Sequence, residues 1–306
     1  MIQTSRPTIV SRAAQLPDIE KIVDLVLYTA KQRTSSSLFM PTTHKAIKKE
    51  IEQAITSGSL FVSTASDDPL GCLSSFLDTN RNTADSTLCL PDEPALATIV
   101  GKGLLDLFLE THPAYSATFF VPAENTLVGK VVGAYGFVTN NRELLLSIDR
   151  NKFVPSGIDV LAPASAAAVN SVVDLHDRIF PNEYISGANI RDNPASDRTV
   201  FAVNGDDEAV AYGVLRDKSV TRKTVEVIAV APEHRRKGLA RRILESMLVH
   251  AYQDPEVMTI DLIVDAENSA ALHLYRAVGF TTESENISYV IPPHEEFRHG
   301  ADEEGK

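Results

Sequence analysis

The segment VAPEHRRKGLARR, residues 230–242, concentrates positive charge around one glycine in an acidic chain. Five of its residues are lysine or arginine, whereas the 306-residue chain carries a net charge of −12. A strand that ends at Val230 and a helix that begins just after Gly238 would leave the N–H groups of the first helical turn unpaired. Those groups, the helix dipole and the arginines favour an anion, and Gly238 lets a phosphate approach the backbone. The segment therefore predicts a site for a small polyphosphate ligand.

Taken alone, this pattern also fits a solvated turn with a helix-entry glycine. A second motif lies 30 residues downstream, in the order Asn268-x-x-Ala271-x-x-Leu274-Tyr275-x-x-x-Gly279-Phe280. Together with Pro232-x-x-Arg235-x-x-Gly238-Leu239-Ala240, it resembles the signature of the GNAT superfamily of acyl-CoA-dependent N-acyltransferases. The one departure is Ala240, where many members have glycine. The resemblance covers roughly residues 155–291.

The resemblance implies that acetyl-CoA is the cosubstrate and that no metal takes part. The amides from Arg236 to Ala240 would hold its pyrophosphate, and its pantetheine arm would lie along the strand end near Val230. Asn268 would orient the cosubstrate or cap the helix that follows it, and sequence does not separate the two roles. The expected cosubstrate-binding residues are Val230, Arg235, Arg236, Lys237, Gly238, Leu239, Ala240 and Asn268.

Acyl transfer from a thioester needs a neutral amine, a stabilised oxyanion and a proton for the departing thiolate. Tyr275 occupies the position of the family's tyrosine and is the candidate general acid; the alternative is a tyrosine that only packs beside the cosubstrate. Glu226 is the candidate base, because it shares strand parity with Val230 and could face the same cleft. A glutamate on the exposed face of the sheet is the alternative. A backbone N–H near Val230 could polarise the thioester carbonyl.

The pattern of apolar residues places these side chains on regular elements. After Gly238, apolar residues recur with the spacing of one helical face up to Ala251. Asn268 or Ser269 caps a second helix. The sequence predicts strands over 199–205, 208–216, 223–230, 257–264 and 287–291, a hairpin turn at 205–208, and helices from 239 and over 269–278.

Two stretches recur at long period. Residues 121–139 and 264–282 share V-x-A-E-N and A-x-G-F-x-T, and residues 10–25 align with 160–175, each as a strand end, a loop and a helix start. Duplication of one fold explains both. The fold class predicted is α/β (α+β), with two tandem GNAT domains, each a mixed, mostly antiparallel sheet flanked by helices. The domains would span 1–152 and 153–291, followed by a flexible acidic tail at 292–306, as in several bacterial tandem members of the family.

The first copy lacks the features that carry the chemistry. Val132 stands where Tyr275 stands, and the region equivalent to the basic loop contains Asp92 and Glu93. A diphosphate there would meet repulsion, so the first domain is expected to have the fold without the cosubstrate. Gly101 and Gly103 could form a displaced phosphate loop, but their apolar surroundings favour a helix that tolerates two glycines.

Composition narrows the partners and the location. An isoelectric point near 5.1 argues against nucleic acid, and no stretch has the roughly 20 apolar residues of a membrane span. The beginning of the chain lacks the apolar core of a signal peptide, so a cytoplasmic protein is expected. Cys72 and Cys89 have neither metal-site spacing nor a disulfide framework around them and are predicted to be buried.

The acceptor is expected to be a primary amine of a small molecule or a peptide. Most of the net negative charge lies in the second half of the chain, and an acidic cleft would favour a cationic amine. His176, Asp177 and Glu183 are candidate acceptor contacts, with a solvated helix face as the alternative. The function predicted is acetyl-CoA-dependent N-acetyl transfer; the alternative is a non-catalytic acyl-CoA sensor or scaffold. Retention of Tyr275 beside an intact loop favours the enzyme.

Overall fold

A computed structural model describes residues 8–32, 34–37, 43–79, 81–135, 141–181, 185–192, 197–205 and 208–293. The described helices and strands are, in chain order, β1 (Ile9–Ala13), α1 (Ile19–Thr29), α2 (His44–Thr56), β2 (Leu60–Ala65), β3 (Asp68–Asp78), β4 (Thr83–Cys89), α3 (Pro94–Thr111), β5 (Ser116–Pro122), α4 (Thr126–Gly133), β6 (Asn141–Asp149), α5 (Ala166–Ile179), α6 (Gly187–Arg191), β7 (Arg198–Asn204), β8 (Ala209–Asp217), β9 (Arg222–Val230), α7 (Leu239–Ala251), β10 (Thr259–Asp265), α8 (Ser269–Val278) and β11 (Thr281–Ile291). The chain divides into two compact units, residues 1–142 with 285–306 and residues 143–284. The predicted α/β class is confirmed.

The sheet of the first unit has the strand order β1-β2-β3-β4-β5-β11. Neighbouring strands are antiparallel except β4 and β5, which run parallel. Helices α3 and α4 pack on one face around Leu104 and Phe119, and α1 and α2 cover the other face around Ile22 and Val62. The predicted mixed, mostly antiparallel sheet with flanking helices is therefore present in this unit.

The second unit repeats this plan with the strand order β7-β8-β9-β10-β6. Its parallel pair is β9 and β10, and the other neighbours are antiparallel. One face packs against α7 around Ile243 and Leu262, and the opposite face packs against α5 around Val172 and Val214. The two faces are called the α7 face and the α5 face below.

The last strand of each sheet comes from the other half of the sequence. Strand β6 pairs with β10 of the second unit, and residues Asn286–Ile291 of β11 pair with β5 of the first unit. The predicted boundary at 152 differs from this division, because it assigns β6 to the first domain and β11 to the second. A repeat in the sequence cannot show which sheet a terminal strand joins, since strand pairing is a contact between distant residues.

Most predicted elements of the second half occur within a few residues of their expected bounds. Strand β11 begins six residues earlier than predicted, at Thr281. The segment at 160–164, expected to end a strand, forms none, although the Ala164 N–H donates to the Val200 carbonyl at 2.7 Å. The predicted turn at 205–208 includes residues 206 and 207, and the predicted tail includes 294–306, all of which lie outside the described residues.

Gly101 and Gly103 lie inside helix α3, as the helical alternative predicted. A Cβ at Gly101 would lie 2.7 Å from a methyl group of Val131 on α4. The missing side chain therefore allows α4 to pack closely on α3. Cys72 and Cys89 are opposite each other on β3 and β4, both buried and both free thiols. The hydrogen bond with Cys89, together with burial, holds the pKa of the Cys72 thiol well above its usual range.

Candidate functional site

The basic segment forms the loop between β9 and α7. A single 3-10 turn at Pro232–His234 follows the strand, and the backbone then takes left-handed conformations at Arg236 (φ 64°) and Gly238 (φ 80°). Left-handed residues in such a loop turn successive N–H groups toward one side and create a concave surface that suits an anion. The non-glycine left-handed residue Arg236 is uncommon, and functional loops are where such conformations concentrate.

Helix α7 begins with no side chain on its N-terminus. Gly238 is its N-cap residue, and no side chain accepts a hydrogen bond from the first turn in the described structure. A Cβ built on Gly238 would meet no atom within 4 Å, so the space beside the first turn is open. This geometry gives an anion direct access to the unpaired N–H groups at the positive end of the helix dipole.

The five basic residues of the segment have different surroundings. The Arg235 side chain folds back and donates to the Val230 carbonyl at 3.2 Å, which fixes the loop to the end of β9. Arg241 pairs with Glu245 at 2.8 Å, and Arg242 pairs with Asp159 at 2.5 Å. The remaining two, Arg236 and Lys237, are exposed and make no ion pair or hydrogen bond within the described residues. They are the cations available to a ligand.

The parallel strands β9 and β10 separate as they approach this loop. Their pairing ends at Val225 and Leu262, yet β9 continues beside β8 to Val230 and β10 continues beside β6 to Asp265. The separation leaves one edge of β9 without its parallel neighbour over its last five residues. A wedge of this kind can receive an extended ligand that pairs with the free strand edge.

Asn268 caps helix α8 through its side chain, which accepts a hydrogen bond from the Ala271 N–H at 3.1 Å. Asn125 does the same for α4 in the first unit, with the Val128 N–H at 3.2 Å. The backbone angles of the two residues agree within 5°, with φ −75° and ψ 72° at Asn268 and φ −80° and ψ 75° at Asn125. Capping therefore accounts for an asparagine at this position in both copies.

Tyr275 is half-buried on α8 and packs against the core of the α7 face, with its ring 6.0 Å from that of Phe280. Its hydroxyl makes no hydrogen bond to any described residue. Burial raises the pKa of Tyr275 to about 12. The phenol therefore stays protonated at neutral pH, as a proton donor must.

Glu226 does not share a face with Val230, and the parity argument for it is wrong. A β-bulge lies at Glu226, because Val214 pairs with Val227 whereas the next residue, Leu215, pairs with Val225. The extra residue reverses the alternation of side chains along β9. Val230 packs on the α7 face, while Glu226 contacts arginines that lie on the α5 face.

The surroundings of Glu226 also argue against a catalytic base. Its side chain is 2% exposed and pairs with Arg198 at 2.5 Å and with Arg216 at 3.4 Å. Both arginines also pair with Asp197. Two guanidinium groups stabilise the ionised carboxylate, and a stabilised carboxylate is a poor proton acceptor. We assign Glu226 a structural role in this ion-pair network.

His176 and Asp177 both contact the segment that follows α5. His176 is fully buried, with Nδ1 2.5 Å from the Tyr212 hydroxyl and Nε2 2.7 Å from the Ile185 carbonyl oxygen. A carbonyl only accepts, so Nε2 carries the proton. Asp177 accepts from the Gly187 N–H at 2.7 Å. Burial gives His176 a structural role, the acceptor role of the exposed Asp177 stays a prediction, and Glu183 lies outside the described residues.

The sequence motifs did not single out Asp261, a buried carboxylate on β10 beside the point where the strands separate. Its signal was a single aspartate within the apolar strand TIDLIV. Four carboxylates of this unit pair with three arginines; the carboxylates are Asp197, Glu226, Asp261 and Glu283, and the arginines are Arg198, Arg216 and Arg222. The predicted acidic cleft stays a prediction.

No group of three or more metal-ligating side chains lies together in the described part of the chain. Among the helices described, none has the length and apolar character that crossing a membrane requires.

Part of this chain is similar to known proteins. Residues 169–280 match the model of the acetyltransferase (GNAT) family. The chain is 27% identical over 168 residues to mycothiol acetyltransferase of Tsukamurella paurometabola, which aligns 49% of this chain with 57% of that protein. It is 30% identical over 105 residues to the ribosomal protein bS18 alanine N-acetyltransferase of Salmonella typhimurium, covering 31% of this chain and 70% of that protein. The chain thus spans little more than half the length of the mycothiol enzyme.

A solved structure of a tandem GNAT protein from the clavulanic acid biosynthesis pathway has a similar fold. It superposes with a TM-score of 0.64 over 92% of this chain and 97% of its own, at 14% identity. The chain belongs to the acetyltransferase (GNAT) family. Its two units of the same topology make it a tandem member, as the repeat in its sequence predicted.

Proposed function

We propose that this chain is an acetyl-CoA-dependent N-acetyltransferase whose second unit transfers the acetyl group directly to a primary amine. The observation that carries the proposal is the uncapped N-terminus of α7, where left-handed residues Arg236 and Gly238 turn backbone N–H groups toward open space. A diphosphate fits such a surface, because its oxygens accept from the N–H groups and its charge meets the positive end of the dipole.

Backbone and side-chain groups of the loop bind the diphosphate in different ways. The amides from Arg236 to Ala240 donate to its oxygens, and the side chains of Arg236 and Lys237 offset its charge. Arg235 acts on the loop and not on the ligand, because its hydrogen bond to the Val230 carbonyl fixes where the loop leaves β9. The extended arm of the cosubstrate then enters the wedge between β9 and β10, with Asn268 at the start of α8 beside it.

Tyr275 supplies the proton that the departing thiolate needs. Its raised pKa of about 12 keeps the hydroxyl protonated over the whole physiological range. A backbone N–H near Val230 polarises the thioester carbonyl and stabilises the oxyanion that forms when the amine attacks. These two groups act on the two atoms that gain negative charge during acyl transfer.

The acceptor is a primary amine of a small molecule or a peptide. The two relatives described above are named mycothiol acetyltransferase and ribosomal protein bS18 alanine N-acetyltransferase. In this chain the amine approaches from the α5 face, since the loop and α7 occupy the other side of the wedge. The carboxylates of that face pair with arginines, which does not favour a polycation.

Replacement of Gly238 by aspartate tests the proposal. It places a carboxylate where the diphosphate approaches, so the Kd for acetyl-CoA, measured by titration calorimetry, should rise on the order of 10²-fold or more, roughly 3 kcal/mol. Gly157→Asp is the matched control, because Gly157 has a similar φ of 83° and equally open surroundings. Release of free CoA with spermidine, glucosamine or an alanine-terminated peptide tests transfer. Unchanged affinity in Gly238→Asp would contradict the binding assignment.

A further inference from the structure

Asp261 lies one residue before the point where β9 and β10 separate. It pairs across the sheet with Thr224 on β9 and Ser147 on β6, and the next pair, Leu262 with Val225, is the last between the parallel strands. A strand rises about 3.3 Å per residue, so the wedge begins to open about 3.3 Å along β10 from Asp261. This places a carboxylate at the closed end of the wedge.

The side chain of Asp261 faces the α5 side, from which the amine approaches. Its neighbours Ile260 and Leu262 are buried in the core of the α7 face, and side chains alternate along a strand. Asp261 is only 6% exposed. A carboxylate at this depth needs a charged partner. Asp261 has one guanidinium, which it shares with Glu283, whereas Glu226 has two.

The charged neighbours of Asp261 come from three elements. Arg222 at the start of β9 lies 3.2 Å from it and is shared with Glu283 of β11 at 3.0 Å. Lys218, in the turn between β8 and β9, is the other cation that acts on it. Burial raises the pKa of Asp261 and outweighs the opposing effects of Thr224, Arg222 and Lys218, while Glu283 raises it further.

We propose that Asp261 is the catalytic base that accepts a proton from the ammonium group of the acceptor, directly or through one water. The inference rests on the proposed function. Asp261 takes one proton from the ammonium, and the resulting amine attacks the thioester carbonyl. The C–N bond forms and the C–S bond breaks, and the nitrogen loses its second proton. One proton returns to the thiolate through Tyr275, so the net reaction releases one proton to solvent.

The test compares Asp261→Asn with the unaltered chain over pH 6 to 10, with the acceptor taken from spermidine, glucosamine and an alanine-terminated peptide. We expect kcat/KM at pH 7 to fall on the order of 10²-fold or more, with an unchanged Kd for acetyl-CoA. The residual rate should rise about tenfold per pH unit up to the pKa of the amine itself, because only the amine already free in solution can then react.

Glu256→Gln, which removes an exposed carboxylate outside this cluster, is the control, and it should keep both the rate and the pH profile. If the Asp261→Asn variant does not fold, Asp261→Ser replaces it in the same measurement. Acetyl-CoA binding verifies that a variant is folded.

An unchanged rate and pH profile in the Asp261 variants would overturn the inference while leaving the proposed function intact. The inference is also overturned if Glu226→Gln, and not Asp261→Asn, gives the tenfold rise per pH unit. If the unaltered chain acetylates none of the three amines although it binds acetyl-CoA, the proposed function fails and this inference with it.

Discussion

At the scale of single residues, two tyrosines of the second unit have the same raised pKa of about 12 but different partners. Burial is the main cause in both. The Tyr252 hydroxyl donates to the Ile148 carbonyl at 2.7 Å, and the guanidinium of Arg150 lies 5.0 Å from its ring. The Tyr275 hydroxyl makes no hydrogen bond to any described residue. A comparison of the two tyrosines therefore tests the proposed role of Tyr275 against a structural one.

Tyr275→Phe keeps the packing of the ring and removes the proton donor. We expect kcat to fall on the order of 10² to 10⁴-fold, with little change in the Kd for acetyl-CoA or in the melting temperature. Because the pKa is about 12, the unaltered enzyme should show no loss of rate from this group below about pH 10. Steady-state kinetics and calorimetry measure these quantities.

Tyr252→Phe is the control and should behave in the opposite way. Loss of its hydrogen bond costs about 1 kcal/mol, which corresponds to a melting temperature lower by about 2–4 °C, whereas kcat should not change. If Tyr275→Phe instead turns over normally under conditions where chemistry limits the rate, water protonates the thiolate and Tyr275 only packs.

At the scale of elements, helix α7 is held in place by the segment that precedes α5. The buried carboxylate of Glu245 accepts hydrogen bonds from the Ser156 N–H at 3.1 Å and the Ser156 hydroxyl at 2.5 Å, and it also pairs with Arg241. The hydroxyl of Ser246 accepts from the Leu161 N–H at 2.8 Å. These contacts fix the helix whose first turn forms the candidate site.

Glu245→Gln should destabilise the protein by about 1–3 kcal/mol at neutral pH, because it removes a charged acceptor from a buried site. Burial by itself raises the pKa of Glu245, but the bonds from Ser156 and Arg241 outweigh it, and the pKa lies below its ordinary value. A lowered pKa in the folded state means that the carboxylate stabilises the fold above the unfolded pKa of about 4.3. That stabilisation is lost as the pH falls through the folded value.

The difference in melting temperature between the unaltered chain and Glu245→Gln should therefore be largest above about pH 5 and shrink as the pH falls further. Thermal unfolding between pH 3 and 7.5 measures it. Glu256→Gln, at an exposed position after α7, is the control and should leave the curve unchanged. A difference that stays constant with pH would show that the charge of Glu245 contributes nothing.

At the scale of the whole molecule, the two units share a topology but differ at one helix. This helix is α3, after β4, in the first unit and α7, after β9, in the second. In the first unit, α3 follows β4 after only four residues, and the side chain of Glu93 accepts from the N–H groups of Ala95 at 3.1 Å and Leu96 at 2.6 Å. A carboxylate of the chain itself thus lies at the position that is open in the second unit. That carboxylate would repel a diphosphate at the N-terminus of α3.

We accordingly expect one acetyl-CoA to bind per chain. Titration calorimetry should give a stoichiometry near one, and Glu93→Ala should lower stability by about 0.5–2 kcal/mol without adding a second site. The experiment needs the full chain, because a fragment that begins near residue 155 lacks β6 and leaves β10 without its partner strand. Two equivalents bound per chain, or binding that survives Gly238→Asp, would contradict the assignment.

The sequence by itself determined the parts of this protein that depend on short-range spacing. The loop and the start of α7, the cap at Asn268 and the position of Tyr275 on α8 all follow from residues within one or two turns of each other. Charge around Gly238 and helical periodicity after it are local properties, so they could be read without knowing the fold. The long-period repeat also predicted that the same elements occur twice in the chain.

Only the tertiary structure decided what depends on pairing between distant residues. The bulge at Glu226 is a register shift against β8, and a shift of one residue moves a side chain to the other face. The exchange of β6 and β11 and the position of Asp261 beside the wedge likewise depend on which strands are neighbours. His176 resembles a surface residue of a helix until Tyr212 of β8 and the Ile185 carbonyl enclose it. Hydrogen bonds between strands and burial under other elements set these features, and neither leaves a local pattern in the sequence.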